Sequence, residues 1–414
     1  MRARAVTSGA APREHAMVAI MFATWGVVFL DRMSLLYLAP YIAPDLHLDA
    51  AHIGMLAGVV AVTWAVSALV FGAISDRVGR KVVLVPMVVL FSVISAASAF
   101  AHGFGQLLLL RALLGVAEGP CWSVMMALVE ENSAPEHRGR NIGVVVSAAA
   151  IIGLAIAPVL TTQVAAHEGW RDAFLVAAVP GLVLALLIGL FVREGRARQS
   201  RRTQRARVAD IVRLLNSRNL WASAVGAAGF MTWLFLVNAF GPLYITEVQH
   251  QSGTTAGFLM GAAGLGSFVL GLIAPALSDR VGRRPMLAAS AVLSAILPVI
   301  LFVSPLYGSL WVLAAILLCT QAGQAISAIC IVLVPTESVP KNLAATAIGF
   351  TTLCGEIIGG FLAPLVAGTL AVRHGLGAPL WMAVGGAIVV LLAALAMRGS
   401  AVTVSGPGLE SPAR

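Results

Sequence analysis

Five ionisable side chains, Asp31, Arg32, Arg111, Glu118 and Glu356, fall inside otherwise apolar runs of this chain. In hydrocarbon each such charge costs roughly 2.5–3.5 kcal/mol on insertion scales, so charges placed there pair with one another or serve the passage of ions and solutes. Arg111 and Glu118 stand seven residues apart, two helical turns, and share a face, with Gly115 between them and Trp122 one turn beyond. A small residue between two long polar ones leaves room for something to bind. Asp31 and Arg32 are adjacent, so they point about 100° apart around a helix and pair poorly with each other. Counting about 1.5 Å per residue from the ends of their runs puts Asp31 and Arg111 at one depth. Asp31 is therefore expected to pair with Arg111, and Glu118 to sit deeper, near the midplane. A carboxylate that alternates between an arginine and an apolar cavity changes its proton affinity with conformation, which couples a proton to movement. Asp31 and Glu118 are accordingly the candidate proton-coupling residues; a static charge cluster that holds the first half together is the alternative.

These side chains need membrane-spanning elements to position them. Of 414 residues, 59% are hydrophobic and 11% charged, against about 25% charged in soluble domains. Twelve runs are long enough to span a bilayer, near 17–43, 53–74, 82–101, 106–129, 142–166, 173–192, 220–246, 255–277, 285–304, 309–334, 343–371 and 378–397. The expected fold is an all-α membrane protein, twelve transmembrane helices in two pseudo-symmetric six-helix bundles. Its divisions are a tail 1–15, a first bundle 16–193, a basic linker 194–218, a second bundle 219–398 and a tail 399–414. Of the 27 Lys and Arg, all but Arg32, Arg111, Arg171 and Arg373 fall on the termini and even-to-odd loops, which by the positive-inside rule places both termini in the cytoplasm. The net charge of +9 thus reports topology and does not call for a nucleic-acid partner. The arginine-rich linker reads as a solvated tether or an interfacial helix on anionic lipid. Cys121, Cys319, Cys330 and Cys354 all lie within spans, so no disulfide framework or zinc site is expected. No Walker-type loop or catalytic triad is present, so the chain is not read as an enzyme, no cofactor or metal is expected, and energy would come from an ion gradient.

The chain repeats itself. Ser75-Asp76-Arg77-Val78-Gly79-Arg80 recurs as Ser278 to Arg283, Phe22-Ala23-Thr24-Trp25 is echoed by Phe230-Met231-Thr232-Trp233, and Ser133-Ala134-Pro135 by Ser338-Val339-Pro340. Parallel six-helix halves with substrate held between them are the plan of a large transporter class. The repeat also serves as an internal control. Asp31, Arg32, Arg111 and Glu118 map onto Ala239, Phe240, Ile316 and Gly323, whereas the second half offers Asn238, Gln321, Gln324 and Glu356. Gln321 and Gln324, three apart, are expected on one face; these amides suit hydrogen bonding to a ligand or packing between helices.

Gly72-x-x-x-Asp76-Arg77-x-Gly79-Arg80-Lys81, with its counterpart Asp279-Arg280-x-Gly282-Arg283, resembles the loop signature of the major facilitator superfamily. The resemblance implies alternating access by a rocker switch. Gly79 and Gly282 would permit the tight turn, and Asp76 and Asp279 would accept helix-start N–H groups or pair with Arg across the seam between halves. Within the superfamily, Asp31-Arg32 and the Arg111-x-x-x-Gly115-x-x-Glu118 stripe, together with Gly169-Trp170-Arg171 and Pro242-x-Tyr244, resemble the anion:cation symporter family. That resemblance implies an inner-membrane, proton-coupled importer of a sugar acid or an aromatic or other carboxylic acid, acting as a monomer, with Arg32 and Arg111 meeting the carboxylate through their forked donors. Trp64 and Ala68 depart from the Tyr and Gln of many members, and Glu356 from the usual Asn. The same charges also resemble Spinster-like lysolipid carriers. A drug:proton antiporter remains open, since Glu356 with Trp25, Trp64, Trp122 and Trp233 could line a pocket for a cationic aromatic compound. In a different class, six external histidines leave room for a non-transporting sensor.

Overall fold

The protein is described here by a computed structural model covering residues 11–192, 216–303, 309–340 and 343–398. Among the described residues there is no strand, and twelve helices are long and apolar enough to cross a membrane. They are α1 (Glu14–Asp45), α2 (Ala50–Val78), α3 (Arg80–Ser98), α4 (Phe104–Asn132), α5 (Arg138–His167), α6 (Trp170–Phe191), α7 (Arg218–Val248), α8 (Gly253–Val281), α9 (Arg283–Val303), α10 (Leu310–Glu337), α11 (Thr346–His374) and α12 (Gly377–Ala396). Each coincides with one of the apolar runs. Large apolar side chains such as Leu69, Leu186, Leu190, Leu272 and Ile388 point outward, as they do where the surrounding medium is hydrocarbon. Most of the basic linker, 194–215, and the tail 399–414 lie outside the described residues.

Duplicated sequence gives duplicated local structure. The α2 start is capped by Asp49, whose carboxylate accepts the His52 N–H at 2.9 Å; 203 residues on, Ser252 caps α8 by accepting from Thr255 N–H at 3.1 Å. Gly79 and Gly282 turn the chain between α2 and α3 and between α8 and α9 at φ of 113° and 104°, a conformation that favours glycine. The carboxylates of the signature do not reach across the seam, contrary to that expectation. Asp76 pairs one turn along with Arg80 at 2.5 Å, and Asp279 with Arg283 at 2.6 Å. Each arginine also takes a serine hydroxyl, Ser75 at 2.8 Å and Ser278 at 2.5 Å, and an acid from the same half, Glu131 at 3.4 Å and Glu337 at 2.8 Å. The i, i+4 spacing brings the acid to the arginine within one helix–turn–helix, so the network closes inside each half. Arg77 and Arg280 are left exposed.

The halves meet along two seams built on bare backbone. A Cβ on Gly54 of α2 would stand 2.2 Å from the Pro364 carbonyl of α11, and one on Gly264 of α8 would stand 2.0 Å from the Leu154 carbonyl of α5. Small residues let helices approach this closely where lipid offers no competing hydrophobic drive. Four spans contain π-helical stretches: Ala149–Ile156 in α5, Tyr244–Val248 in α7, Ala328–Leu333 in α10 and Gly355–Leu362 in α11. α10 is moreover interrupted at Gln321 and Ala322.

Candidate functional site

α1 lies at the seam and displays its two charges in two directions. Asp31 points into the first half, where Ser95 of α3 donates its hydroxyl to Oδ1. Arg32, about 100° round the helix, points to the second half and donates from Nη2 to Glu356 Oε2 of α11 at 2.9 Å, both side chains being about 5% exposed or less. The guanidinium carbon lies 5.4 Å from the Trp64 ring centroid and 5.1 Å from that of Phe235, so cation–π attraction adds to the ion pair. Glu356 therefore neither faces away nor presents a free charge; it is the partner of Arg32. Its presentation rests on the π-helical stretch of α11 and on Gly360, where an added Cβ would come within 2.7 Å of Glu356 Oε2.

Arg111 is 1% exposed, and none of its three side-chain nitrogens has a hydrogen-bond partner. The expected Asp31–Arg111 bond is not made. Asp31 is turned to Ser95, and the Arg111 guanidinium lies over Phe174 of α6, 5.4 Å from the ring centroid. Arg111 nonetheless stays within electrostatic reach of both Asp31 and Glu118. Glu118 is wholly buried with neither oxygen bonded, and Asp31 Oδ2 and the indole N–H groups of Trp25 and Trp64 are likewise unpartnered. A cluster of buried, unsatisfied polar atoms needs an explanation in a folded protein. Arg32 and Arg111 together line a small cavity, ≈ 10 Å³, walled otherwise by Leu35, Leu36, Leu56, Ala57, Val60 and Phe235. That is room for about one water, too little for an organic anion in this conformation.

Gly115 does not leave the vacancy its spacing implied. A Cβ there would lie 2.6 Å from the Val60 carbonyl, so the glycine admits α2 against α4 instead of a ligand. Trp25 of α1 and Trp122 of α4 pack together, centroids 4.8 Å apart. Asn238 is held by the second half's own backbone, donating to Leu234 O at 2.7 Å, and accepts from the Tyr37 hydroxyl of α1 at 2.9 Å. Gln321 and Gln324 do not share a helical face: α10 breaks between them, Gln321 Oε1 accepts from Gly323 N–H at 2.8 Å, and Gln324 N–H is bonded to Ser267. Tyr244 packs edge-on to Phe302 at 5.4 Å within the second half, and Trp233 donates to the Ser294 carbonyl at 2.8 Å, so neither aromatic lines the cavity. The sequence reading missed Ser95, Tyr37, Phe174 and Phe235. Ser92, Ser95 and Ser98 recur every three residues in an apolar span, a signal for a polar face on α3; the two phenylalanines carry no such mark.

Residues 20–364 match the Major Facilitator Superfamily. A probable 4-methylmuconolactone transporter of Cupriavidus pinatubonensis is 30% identical over 82% of this chain and 79% of its own length. The cis,cis-muconate transport protein of Acinetobacter baylyi is 25% identical over 86% and 89%, and a hexuronate transporter of Bacillus subtilis is 32% identical over 43% and 42%. A bacterial homologue of the human lysosomal transporter Spinster, solved inward-facing and unoccupied, superposes with a TM-score of 0.74 at 18% identity over 94% of this chain and 98% of that one, a likeness of fold alone. The chain belongs to the Major Facilitator Superfamily, and is a transporter and not an enzyme.

Proposed function

We propose that the protein imports a small organic anion together with protons across the inner membrane, its two halves rocking about an anion site that contains Arg32 and Arg111. The observation that carries this reading is the Arg111 guanidinium, buried with every nitrogen unpartnered at the wall of a cavity it shares with Arg32. A forked, permanently charged donor is suited to a carboxylate, and the relatives named above are a cis,cis-muconate transport protein, a hexuronate transporter and a probable 4-methylmuconolactone transporter. Glu356 is engaged by Arg32, which disfavours the reading in which a free acid receives a cationic drug. Proton coupling is assigned to Asp31 and Glu118, buried carboxylates within electrostatic reach of Arg111. The distribution of Lys and Arg supports cytoplasmic termini. Since one chain supplies both halves of the seam, a monomer suffices.

Binding tests the anion site directly. Purified protein titrated with muconate, galactonate and hexuronate should be stabilised by at least one of them, by about 2.7 kcal/mol at a hundredfold excess over Kd, and Arg111→Ala should lose that response. Stabilisation by cationic dyes or lysolipids in place of the acids would overturn the reading.

A further inference from the structure

The ion pair between Arg32 and Glu356 joins residues 324 positions apart, one from each half, and its arginine lines the cavity where the substrate would sit. Three features make it a built contact. Both side chains are buried, the guanidinium lies within 5.4 Å of the Trp64 and Phe235 ring centroids, and Gly360 supplies the space the carboxylate occupies. A substrate carboxylate seeking Arg32 meets a carboxylate already there.

We propose that Glu356 is an internal counter-ion, which holds Arg32 while the carrier is empty and which the substrate carboxylate displaces. The inference rests on the organic-anion reading and deepens it. An arginine stranded in a closing, water-poor seam is disfavoured. An anion carrier whose arginine has only the substrate as partner therefore closes when loaded and exchanges one anion for another. Glu356 removes that restriction for Arg32, the arginine whose partner lies in the other half, so the empty carrier closes on its own salt bridge and returns for another substrate, while Arg111 stays within the first half over Phe174. When substrate takes Arg32, the freed carboxylate gains a proton. The exchange of partners then adds one anion and one proton, leaving the charge in the seam unchanged. The charged group paired with Glu356 is Arg32 of α1; around Gly360, beside the carboxylate, α2 brings Ala61 and α7 brings Phe235, Trp64 of α2 lies by the Arg32 guanidinium, and α12 carries no charged side chain. Glu118 of α4 acts on the same guanidinium from within electrostatic reach.

The test uses full-length protein in liposomes and whichever of radiolabelled muconate, galactonate or hexuronate the wild type accumulates fastest. Glu356→Gln keeps shape and removes the competing charge. Exchange against internal substrate should persist with a KM lowered several-fold, while net uptake into empty vesicles should fall by at least about tenfold. Glu356→Asp, which keeps a carboxylate on a shorter stem, should restore part of the net uptake, and it stands in for the glutamine variant should that variant not fold. Unchanged net uptake in Glu356→Gln, or a KM that stays the same or rises, would overturn the proposal. Failure of the wild type to move any of the acids would instead remove the anion reading beneath it.

Discussion

A guanidinium buried without a partner is unfavourable by several kcal/mol, and Arg111 is in that state beside a carboxylate, Glu118, that is in it as well. Two ionisable groups of opposite type left unbonded within electrostatic reach of each other form a site in which either can be satisfied from outside, one by a carboxylate and the other by a proton. Glu118→Gln should therefore still exchange substrate but lose gradient-driven accumulation, measured as the inside-to-outside ratio of labelled acid; a variant that concentrates substrate like the wild type would remove Glu118 from coupling. Much of this was legible in sequence. Adjacent charges on one helix had to diverge, and they do, Asp31 to Ser95 and Arg32 to Glu356. Helical spacing could not reveal the Arg32–Glu356 bond, because spacing relates residues on one helix and this bond crosses between halves. For the same reason depth counting brought Asp31 level with Arg111 without showing that a serine and a phenylalanine would take their faces.

At the scale of elements, the spans follow from apolar length, and the repeat predicts which turns and caps recur. The form of the breaks within spans was not legible. The interruption of α10 falls within Thr320-Gln321-Ala322-Gly323-Gln324, and the π-helical stretch of α11 is rich in glycine and runs up to Pro364, whose missing N–H removes a helical hydrogen bond; these marks weaken a helix without saying which form the break takes. Nor does a glycine declare whether it makes room for a ligand or for a neighbouring helix. Gly115 does the second, and so does Gly264, whose added methyl would press on the Leu154 carbonyl. Gly264→Ala should lower the melting temperature, overpacking costing about 1–3 kcal/mol, and should slow transport by obstructing α5 against α8. Gly385→Ala, with nothing within 4 Å of its added carbon, should leave both unchanged. Equal behaviour of the two variants in paired melting and uptake assays would show that the α5–α8 seam tolerates separation.

In the whole molecule, among the described residues, the polar side-chain links between halves are the Arg32–Glu356 pair and the Tyr37–Asn238 hydrogen bond, whereas the signature networks close within each half. Two bundles packed along glycine seams and linked by few polar side-chain contacts suit the hinge and shear motions by which such halves rearrange. The bundles agree at the signature turns and differ in the middle, where the first supplies Asp31, Arg32, Arg111 and Glu118 and the second answers with Glu356 alone among charges. Proton-driven movement of an organic anion through that asymmetric centre is tested most directly by accumulation in liposomes under an imposed pH gradient. Labelled muconate, galactonate or hexuronate should rise above its equilibrium level when the compartment it enters is alkaline, and should stop rising when a protonophore collapses the gradient. Accumulation that ignores the gradient, or binding of these acids with no movement at all, would contradict it.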